Sequence, residues 1–196
     1  RNCVMQFCGS DGTANRHDQS GTQAEQAAFW ASVSTTSGGA ARIRECTGVQ
    51  IHDNTVRYCL RGLRVQDCGS DSTASTISNN NCYRTLESSI YLASGSYSGN
   101  SSFGCRSINV VGNTVHEAFN CGILVIGGQD NAIMGNCITR SANAGVMCWH
   151  VLDTRVCNNS LFDCNRRQHN GIGNLGDSFG NIVFDGSTAI GTGTYI

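Results

Sequence analysis

The chain of 196 residues contains no proline, little charge and no long apolar run. Proline lacks the N–H that a sheet ladder needs, so its absence suits a backbone committed to β-strands. Charged residues make up 14% of the chain and the net charge is −1, which argues against the basic surface of a nucleic-acid-binding protein. No apolar run approaches the ~20 residues that span a bilayer. We therefore expect neither a nucleic acid nor a membrane as partner.

Sequence motifs for cofactors and metals are also missing. The chain has no Gly-rich phosphate loop, no His-Glu-x-x-His and no Cys-x-x-Cys pairs at zinc spacing. The segment from Gly171 to Gly176 fits a dinucleotide fingerprint superficially, but no helical pattern follows it. We therefore predict no cofactor and no metal site.

Cysteine and glycine, in contrast, are abundant, with 12 Cys and 24 Gly. Twelve cysteines are compatible with a disulfide framework. Most of them, however, stand where neighbouring repeats have Val, Ile or Leu, and a free cysteine packs as a small apolar side chain. So many unpaired thiols favour synthesis in a reducing cytosol.

A short repeat organises the sequence, reading apolar, two residues, Asn, one residue, apolar. Its asparagines are Asn54, Asn80, Asn113, Asn136 and Asn159. A second apolar pair follows in each unit, as Ile123 and Val125 follow Asn113. Apolar residues two apart indicate β-strands and not helices. Units of about 23 residues, each with three short strands, stack into a solenoid with three parallel sheets. Stacked asparagine amides at one turn would hydrogen-bond from coil to coil.

The two ends of the chain fit the repeat less well. Asn2-Cys3-Val4 looks like a repeat cut through its middle, and Ile182 to Asp185 like a degenerate last repeat. We predict a single domain with an N-terminal coil that carries a long insertion (1–41), regular coils (42–186) and a C-terminal tail (187–196). The weak ends predict that the chain is a fragment of a longer protein.

The Ile-x-x-Asn-x-Val repeats over roughly residues 42–186 resemble those of the pectin-lyase-like superfamily, which includes pectate lyases, alginate epimerases and bacteriophage tailspike depolymerases. The resemblance implies an all-β fold, a right-handed single-stranded parallel β-helix of about six to seven coils with inserted loops. It also implies a function on long carbohydrate chains, most like that of tailspikes, and a place on a virion or cell surface. The calcium-binding aspartates of pectate lyases and the Tyr and Asp-x-His arrangement of epimerases are not recognisable here.

A column of charged residues is expected on the outside of the coils, four positions after each repeat asparagine. It consists of Tyr58, Arg84, Glu117, Arg140 and Asp163. One interpretation is a salt-bridge ladder between strands. The other notes that Glu117 and Asp163 are two rungs apart, about 9.6 Å, which is near the upper end of the separation in inverting glycosidases. Arg140 between them would keep both carboxylates ionised, which suits a base and not an acid.

The column one residue earlier combines aromatic and polar side chains: Arg57, Tyr83, His116, Thr139 and Phe162. Aromatic rings stack on the apolar faces of sugars, while charged groups bind their hydroxyls. The predicted catalytic residues are Glu117 and Asp163, with His116 for proton transfer. The predicted substrate-binding residues are Arg57, Tyr83, Arg84, Arg140 and Phe162.

The outward positions of the third strands are unusually apolar: Tyr91, Leu124, Ile126, Met147 and Trp149. Such a face is usually covered. The segment 9–30 is one cover, and the subunits of a homotrimer, as the resemblance to tailspikes implies, are the other. The sequence thus predicts a protein that recognises a polysaccharide or oligosaccharide. It leaves open whether the protein also cleaves this carbohydrate, as a glycoside hydrolase or as a lyase. The alternative is a non-catalytic structural shaft or carbohydrate-binding module.

Overall fold

The computed structural model describes residues 3–6, 39–69, 73–94, 104–164 and 182–185. Within these ranges the chain forms strands and turns and no helix. The strands are β1 (Val4–Gln6), β2 (Ala41–Arg44), β3 (Gln50–His52), β4 (Thr55–Arg57), β5 (Leu63–Gln66), β6 (Ser75–Ser78), β7 (Asn81–Thr85), β8 (Ile90–Ala93), β9 (Cys105–Arg106), β10 (Ile108–Val111), β11 (Thr114–Ala118), β12 (Ile123–Gln129), β13 (Ala132–Met134), β14 (Cys137–Thr139), β15 (Val146–Leu152), β16 (Arg155–Cys157), β17 (Ser160–Phe162) and β18 (Ile182–Asp185).

The strands stack into three parallel sheets, which confirms the predicted parallel β-helix. Sheet 1 has the order β16-β13-β10-β6-β3, and sheet 2 has the order β1-β4-β7-β11-β14-β17. Sheet 3 has the order β18-β15-β12-β8-β5-β2, with β9 pairing β12. Each complete coil contributes one strand to every sheet, and the described residues hold five such coils after a partial first one. The remainder of the predicted six to seven coils falls outside the described residues.

Inward side chains from the three sheets form one continuous apolar core. Ile77, Ile123 and Ile133 are fully buried, and each has an apolar register partner above and below it. Cysteines occupy core positions as the sequence predicts, because Cys82 stands in register between Val56 and Val115. Alternation of inward and outward residues along each strand is therefore what sets the register of the coils.

The repeat asparagines form the predicted hydrogen-bonded ladder at the turn between sheets 1 and 2. The Nδ2 of Asn54 donates to Oδ1 of Asn80 (2.9 Å), and the same bond continues through Asn113, Asn136 and Asn159 at 3.0, 3.0 and 2.9 Å. From Asn80 onward, each Oδ1 also accepts the backbone N–H of the preceding ladder asparagine, as Asn136 does from Asn113 (2.9 Å). Because these amides are buried or half-buried, every polar atom of the turn gains a partner that water cannot supply there.

The ends of the described chain correct two predictions. Met5, and not Val4, pairs in register with the inward Val56, and Cys3 stands at the ladder position, where its N–H donates to Asn54 Oδ1 (3.2 Å). Two adjacent apolar residues had made the alternation ambiguous there. Strand β18 pairs with β15 in sheet 3, so Ile182 to Asp185 is a third strand and not the start of a last repeat.

No two of the eleven cysteines in the described residues are joined by a disulfide. Burial raises the pKa of Cys82, Cys105 and Cys121 to about 12 and raises that of Cys148 as well. Such thiols stay protonated at neutral pH and act as small apolar side chains. Synthesis in a reducing cytosol stays a prediction.

Candidate functional site

The outer face of sheet 2 brings the predicted aromatic and polar column into register. Arg57 pairs with Tyr83, Tyr83 with His116, His116 with Thr139 and Thr139 with Phe162, each on successive coils. Since coils are about 4.8 Å apart, the column from Tyr83 to Phe162 runs along the β-helix for about 14 Å. Phe162 is 71% exposed, which is unusual for a phenylalanine side chain.

Tyr83 is the centre of an aromatic cluster on this face. Its ring stacks on that of His116, with 5.3 Å between centroids and 1° between the planes. The ring of Tyr58 meets it edge to face at 5.6 Å and 88°. The guanidinium of Arg84 lies 5.2 Å from the centre of the Tyr83 ring. Stacked, edge-on and cation–π contacts together fix the orientation of Tyr83 before any ligand arrives.

A groove of about 260 Å³ opens beside this cluster. It is lined by Arg57, Tyr58, Asn81 and Tyr83. Arg57 and Asn81 are exposed, so their donors are available to a ligand, while the two tyrosines supply apolar walls and hydroxyl groups. The volume is near the lower end of the range for ligand pockets, which suits about one ring-sized group.

The charged column places one carboxylate between two guanidinium groups. Glu117 Oε1 lies 3.2 Å from Arg140 Nη1, and Glu117 Oε2 accepts a hydrogen bond from Nε of Arg84 on the preceding coil. Nε2 of His116 lies 3.5 Å from the same Oε1, and its Nδ1 shares a hydrogen bond of 2.7 Å with Thr139 Oγ1. The predicted alternation of charge is therefore realised as a ladder over Arg84, Glu117 and Arg140.

The ladder keeps Glu117 ionised at neutral pH. Burial by itself would raise its pKa, but the hydrogen bond and charge of Arg84, with the charges of Arg140 and His116, outweigh burial and lower the pKa. A carboxylic acid with a lowered pKa does not hold a proton for a leaving group, so Glu117 is unsuited to the acid half of an acid–base pair. Both of its oxygens also already face cationic partners.

Every residue of the charged column has a left-handed backbone. The φ angles are 53° for Tyr58, 50° for Arg84, 57° for Glu117, 60° for Arg140 and 51° for Asp163. Glycine or asparagine adopts this conformation at lower cost than a long side chain. Charged and aromatic side chains at all these positions therefore offset the cost through their contacts on this face.

Asp163 ends the charged column at an exposed position one residue after Phe162. The N–H of Arg140 donates to the carbonyl of Phe162 (2.9 Å), which keeps the turn in step with the coil before it. The predicted catalytic residues Glu117, Asp163 and His116 thus share one face with the predicted binding residues. Their catalytic roles stay predictions.

Three residues of this site were not among the predicted site residues: Tyr58, Asn81 and Thr139. Tyr58 and Asn81 line the groove, and Thr139 holds His116. Tyr58 was already visible as the first member of the charged column. Thr139 was likewise a member of the aromatic and polar column, whereas Asn81 carries no comparable sequence signal, since polar residues are expected at any outward position of a strand.

The apolar outer face of sheet 3 lies on another side of the β-helix. Leu124, Ile126 and Met147 are buried within the single chain, whereas Tyr91 and Trp149 are half-buried. The homotrimer predicted through these five residues stays a prediction, and only Tyr91 and Trp149 keep surface for such an interface. The proposed cover, segment 9–30, lies outside the described residues.

The described residues do not fit a metal centre with three or more protein ligands. No three His, Cys, Asp or Glu side chains among them come together in a group that would hold a metal ion. His17, His169 and Cys8 are outside the part that the structure describes. The described residues also include no helix long and apolar enough to cross a bilayer.

Comparison with protein families gives a match that covers most of the chain. The family described as "Periplasmic copper-binding protein (NosD)" matches residues 13–186. Comparison with curated proteins and with solved structures gives no match.

Proposed function

Since the chain belongs to the NosD family and its β-helix carries the aromatic face described above, we propose that it binds an extended oligosaccharide along the outside of sheet 2. The observation that carries the proposal is the groove of Arg57, Tyr58, Asn81 and Tyr83, in which two perpendicular tyrosine rings stand beside exposed hydrogen-bond donors. Sugars combine apolar ring faces with many hydroxyl groups, and this surface offers partners for both.

The length of the face supports a chain and not a single sugar. The groove lies at one end of the column and the exposed Phe162 at the other, about 14 Å apart by three coil spacings. A ligand that contacts both must be an oligomer that runs parallel to the axis of the β-helix. The tailspike-like role of the predicted superfamily fits such a ligand.

Recognition without cutting is favoured over depolymerisation by the state of Glu117. Its lowered pKa and its two arginine partners suit a group that orders the surface. Cleavage by Glu117, Asp163 and His116, whether as a glycoside hydrolase or a lyase, is the second form of the proposal. As a glycoside hydrolase, the protein would need Asp163 or His116 to supply the proton-donating role that Glu117 does not fit.

A glycan-array screen of the full chain, followed by chromatography of each bound glycan, tests the proposal. Binding without shortened products is the expected result. Binding with shortened products that Glu117→Ala abolishes would establish the depolymerase, whereas Glu87→Ala, which removes a different arginine-paired carboxylate, should leave them unchanged. No binding to any glycan would reject the proposal in favour of a structural shaft.

Copper handling is the second candidate function, because the description of the matching family names it. No three His, Cys, Asp or Glu side chains of the described residues form a metal-binding group, so a copper centre with three of these ligands would have to include residues outside them. Metal analysis of the chain after dialysis against Cu(I) or Cu(II) decides the question. One copper ion retained per chain would support this candidate, and none retained would remove it.

A further inference from the structure

Three cysteines occupy the same position in three successive coils, and we call them the thiol column: Cys46, Cys68 and Cys105. Arg44 and Gln66 are register partners at the ends of β2 and β5, and Cys46 and Cys68 each follow two residues later. Beyond them the N–H of Gly69 donates to the carbonyl of Cys46 (2.8 Å).

An equivalent backbone hydrogen bond follows the second and third cysteines of the thiol column. The N–H of Arg106 donates to the carbonyl of Cys68 (2.9 Å). The thiol of Cys68 points at the carbonyl of Ile43 (3.7 Å) and that of Cys105 at the carbonyl of Val65 (3.3 Å), and these two acceptors are themselves register partners. The thiols of Cys46 and Cys68 also each donate to the carbonyl two residues earlier, both at 3.1 Å. The three thiols therefore point the same way from equivalent backbone positions.

Cys46 and Cys68 lie beside each other on consecutive coils. The backbone N–H of Cys46 lies 3.4 Å from Sγ of Cys68. Equivalent residues of adjacent parallel strands have Cα atoms about 4.8 Å apart, which is inside the range of roughly 4.4–6.8 Å that disulfides span. A disulfide also needs Cβ atoms about 3.5–4.5 Å apart, so joining the sulfur atoms requires rotation of both side chains and a small shift of the exposed turn at Cys46 toward Cys68.

Exposure differs sharply along the thiol column. Cys46 is exposed, whereas Cys68 is 1% exposed and Cys105 is fully buried. Burial raises the pKa of the Cys68 thiol and raises that of Cys105 to about 12. An oxidant in solution therefore meets Cys46 first, and the Cys68 thiol, 3.4 Å from the backbone nitrogen of Cys46, lies beside the product.

We propose that Cys46 and Cys68 form a reversible disulfide between consecutive coils, made by exchange with a small disulfide oxidant. With oxidised glutathione, the Cys46 thiolate attacks one sulfur, a mixed disulfide forms and one glutathione leaves as a thiolate that takes up a proton. The Cys68 thiolate then attacks Cys46 Sγ and expels the second glutathione. Two protein thiols are oxidised, one glutathione disulfide is reduced to two thiols, and the protons balance.

Cys137 provides a matched control within the same fold. It is exposed like Cys46, but its register partners on the adjacent coils are Thr114 and Ser160. A mixed disulfide on Cys137 therefore has no thiol at the equivalent position of either adjacent coil to resolve it. Oxidised glutathione should leave Cys137 glutathionylated and Cys46 cross-linked in one sample.

The experiment treats the reduced full chain with oxidised glutathione, blocks remaining thiols, digests without reductant and identifies the peptides by mass spectrometry. We expect a Cys46–Cys68 linked peptide in the wild type and in Cys137→Ser. In Cys68→Ser the glutathione adduct on Cys46 should rise about tenfold, because the resolving thiol is gone.

Either of two results would overturn the proposal. In the first, the wild type keeps as much glutathione on Cys46 as the Cys68→Ser variant does. In the second, Cys68 forms a disulfide with Cys105 while Cys46 remains a thiol. If Cys68→Ser does not fold, Cys46→Ser serves instead. It should then leave Cys68 unmodified in the folded chain, and modification of Cys68 at the wild-type rate would equally contradict the role of Cys46.

Discussion

The rings of Tyr83 and His116, on adjacent coils of sheet 2, stack with their planes 1° apart. The parallel register of β7 and β11 sets the distance between the two side chains, and Thr139 holds the far side of the imidazole through a hydrogen bond of 2.7 Å. Two residues separated by a whole coil in the sequence thereby form one rigid surface. The neighbouring groove is bounded by the same Tyr83, so this stack orders the part of the protein that we propose as a binding site.

The asparagine ladder should dominate the stability of the turn between sheets 1 and 2. Asn113→Ala removes the donor to Asn136 and the acceptor for Asn80, and leaves buried polar groups without partners. We expect a loss of about 3 kcal/mol in the free energy of unfolding, measured by urea denaturation. Thr114→Ala, at the exposed next position, should change it by less than about 0.5 kcal/mol. Equal effects of the two substitutions would show that the ladder contributes little.

Two glycines should respond to alanine for different reasons. Gly135 has φ of 62° and an added Cβ would meet nothing within 4 Å, so Gly135→Ala should cost only the backbone strain, about 1 kcal/mol. Gly135→Asn should cost less, because Asn79 and Asn158 occupy the equivalent left-handed position. Gly62→Ala should cost about 3 kcal/mol, since its Cβ would overlap the carbonyl of Ser89. The Tm values of the three variants in thermal unfolding test this order. A Tm for Gly135→Ala below that of Gly62→Ala would contradict it.

Acid should remove the contribution of Glu117 to stability. Its pKa is lowered in the folded chain, so the stabilisation is present above the pKa of the unfolded chain and disappears as pH falls through the folded value. The wild type should be more stable than Glu117→Gln at neutral pH, and the two should converge below about pH 4. Denaturation curves across this range test the sign. A difference that grows on acidification would contradict the ladder of Arg84, Glu117 and Arg140.

Thiol reactivity should follow burial. Cys3, Cys46 and Cys137 are exposed and should be alkylated in the native chain at pH 8, whereas Cys82, Cys105 and Cys121, with pKa values of about 12, should react only after unfolding. Titration of the unfolded chain without reductant should count close to all 12 cysteines if it was made in a reducing compartment. A low count would instead indicate disulfides formed during synthesis or export.

The sequence was sufficient to predict the fold because the same short pattern of apolar residues and asparagine recurs in each coil. Asn54 to Asn159 recur beside inward apolar residues, and only stacked coils satisfy both demands together. It failed where the pattern is locally degenerate, as at Val4 and Met5, where two adjacent apolar residues permit either register. It failed again at Ile182, because an apolar strand alone does not reveal which of three sheets it joins.

The site was predictable as columns but not as contacts. Equal repeat positions place Tyr83 beside His116, yet the sequence does not state that Glu117 would be buried between two arginines. That burial depends on the left-handed backbone at Glu117, which bends the chain near the end of β11 and has no signature in residue type. The lowered pKa of Glu117 could therefore be inferred only from its contacts with the two arginines in the structure.

Binding of an array-identified oligosaccharide to four chains by isothermal titration calorimetry tests the central claim most directly. The chains are the wild type, Tyr83→Ala in the groove, Phe162→Ala at the far end of the face, and Leu152→Ala, an exposed apolar residue of sheet 3, as control. The account predicts affinity about tenfold weaker for each of the first two variants and unchanged for the control. Unchanged affinity in Tyr83→Ala and Phe162→Ala would contradict it and place the ligand on another surface of the β-helix.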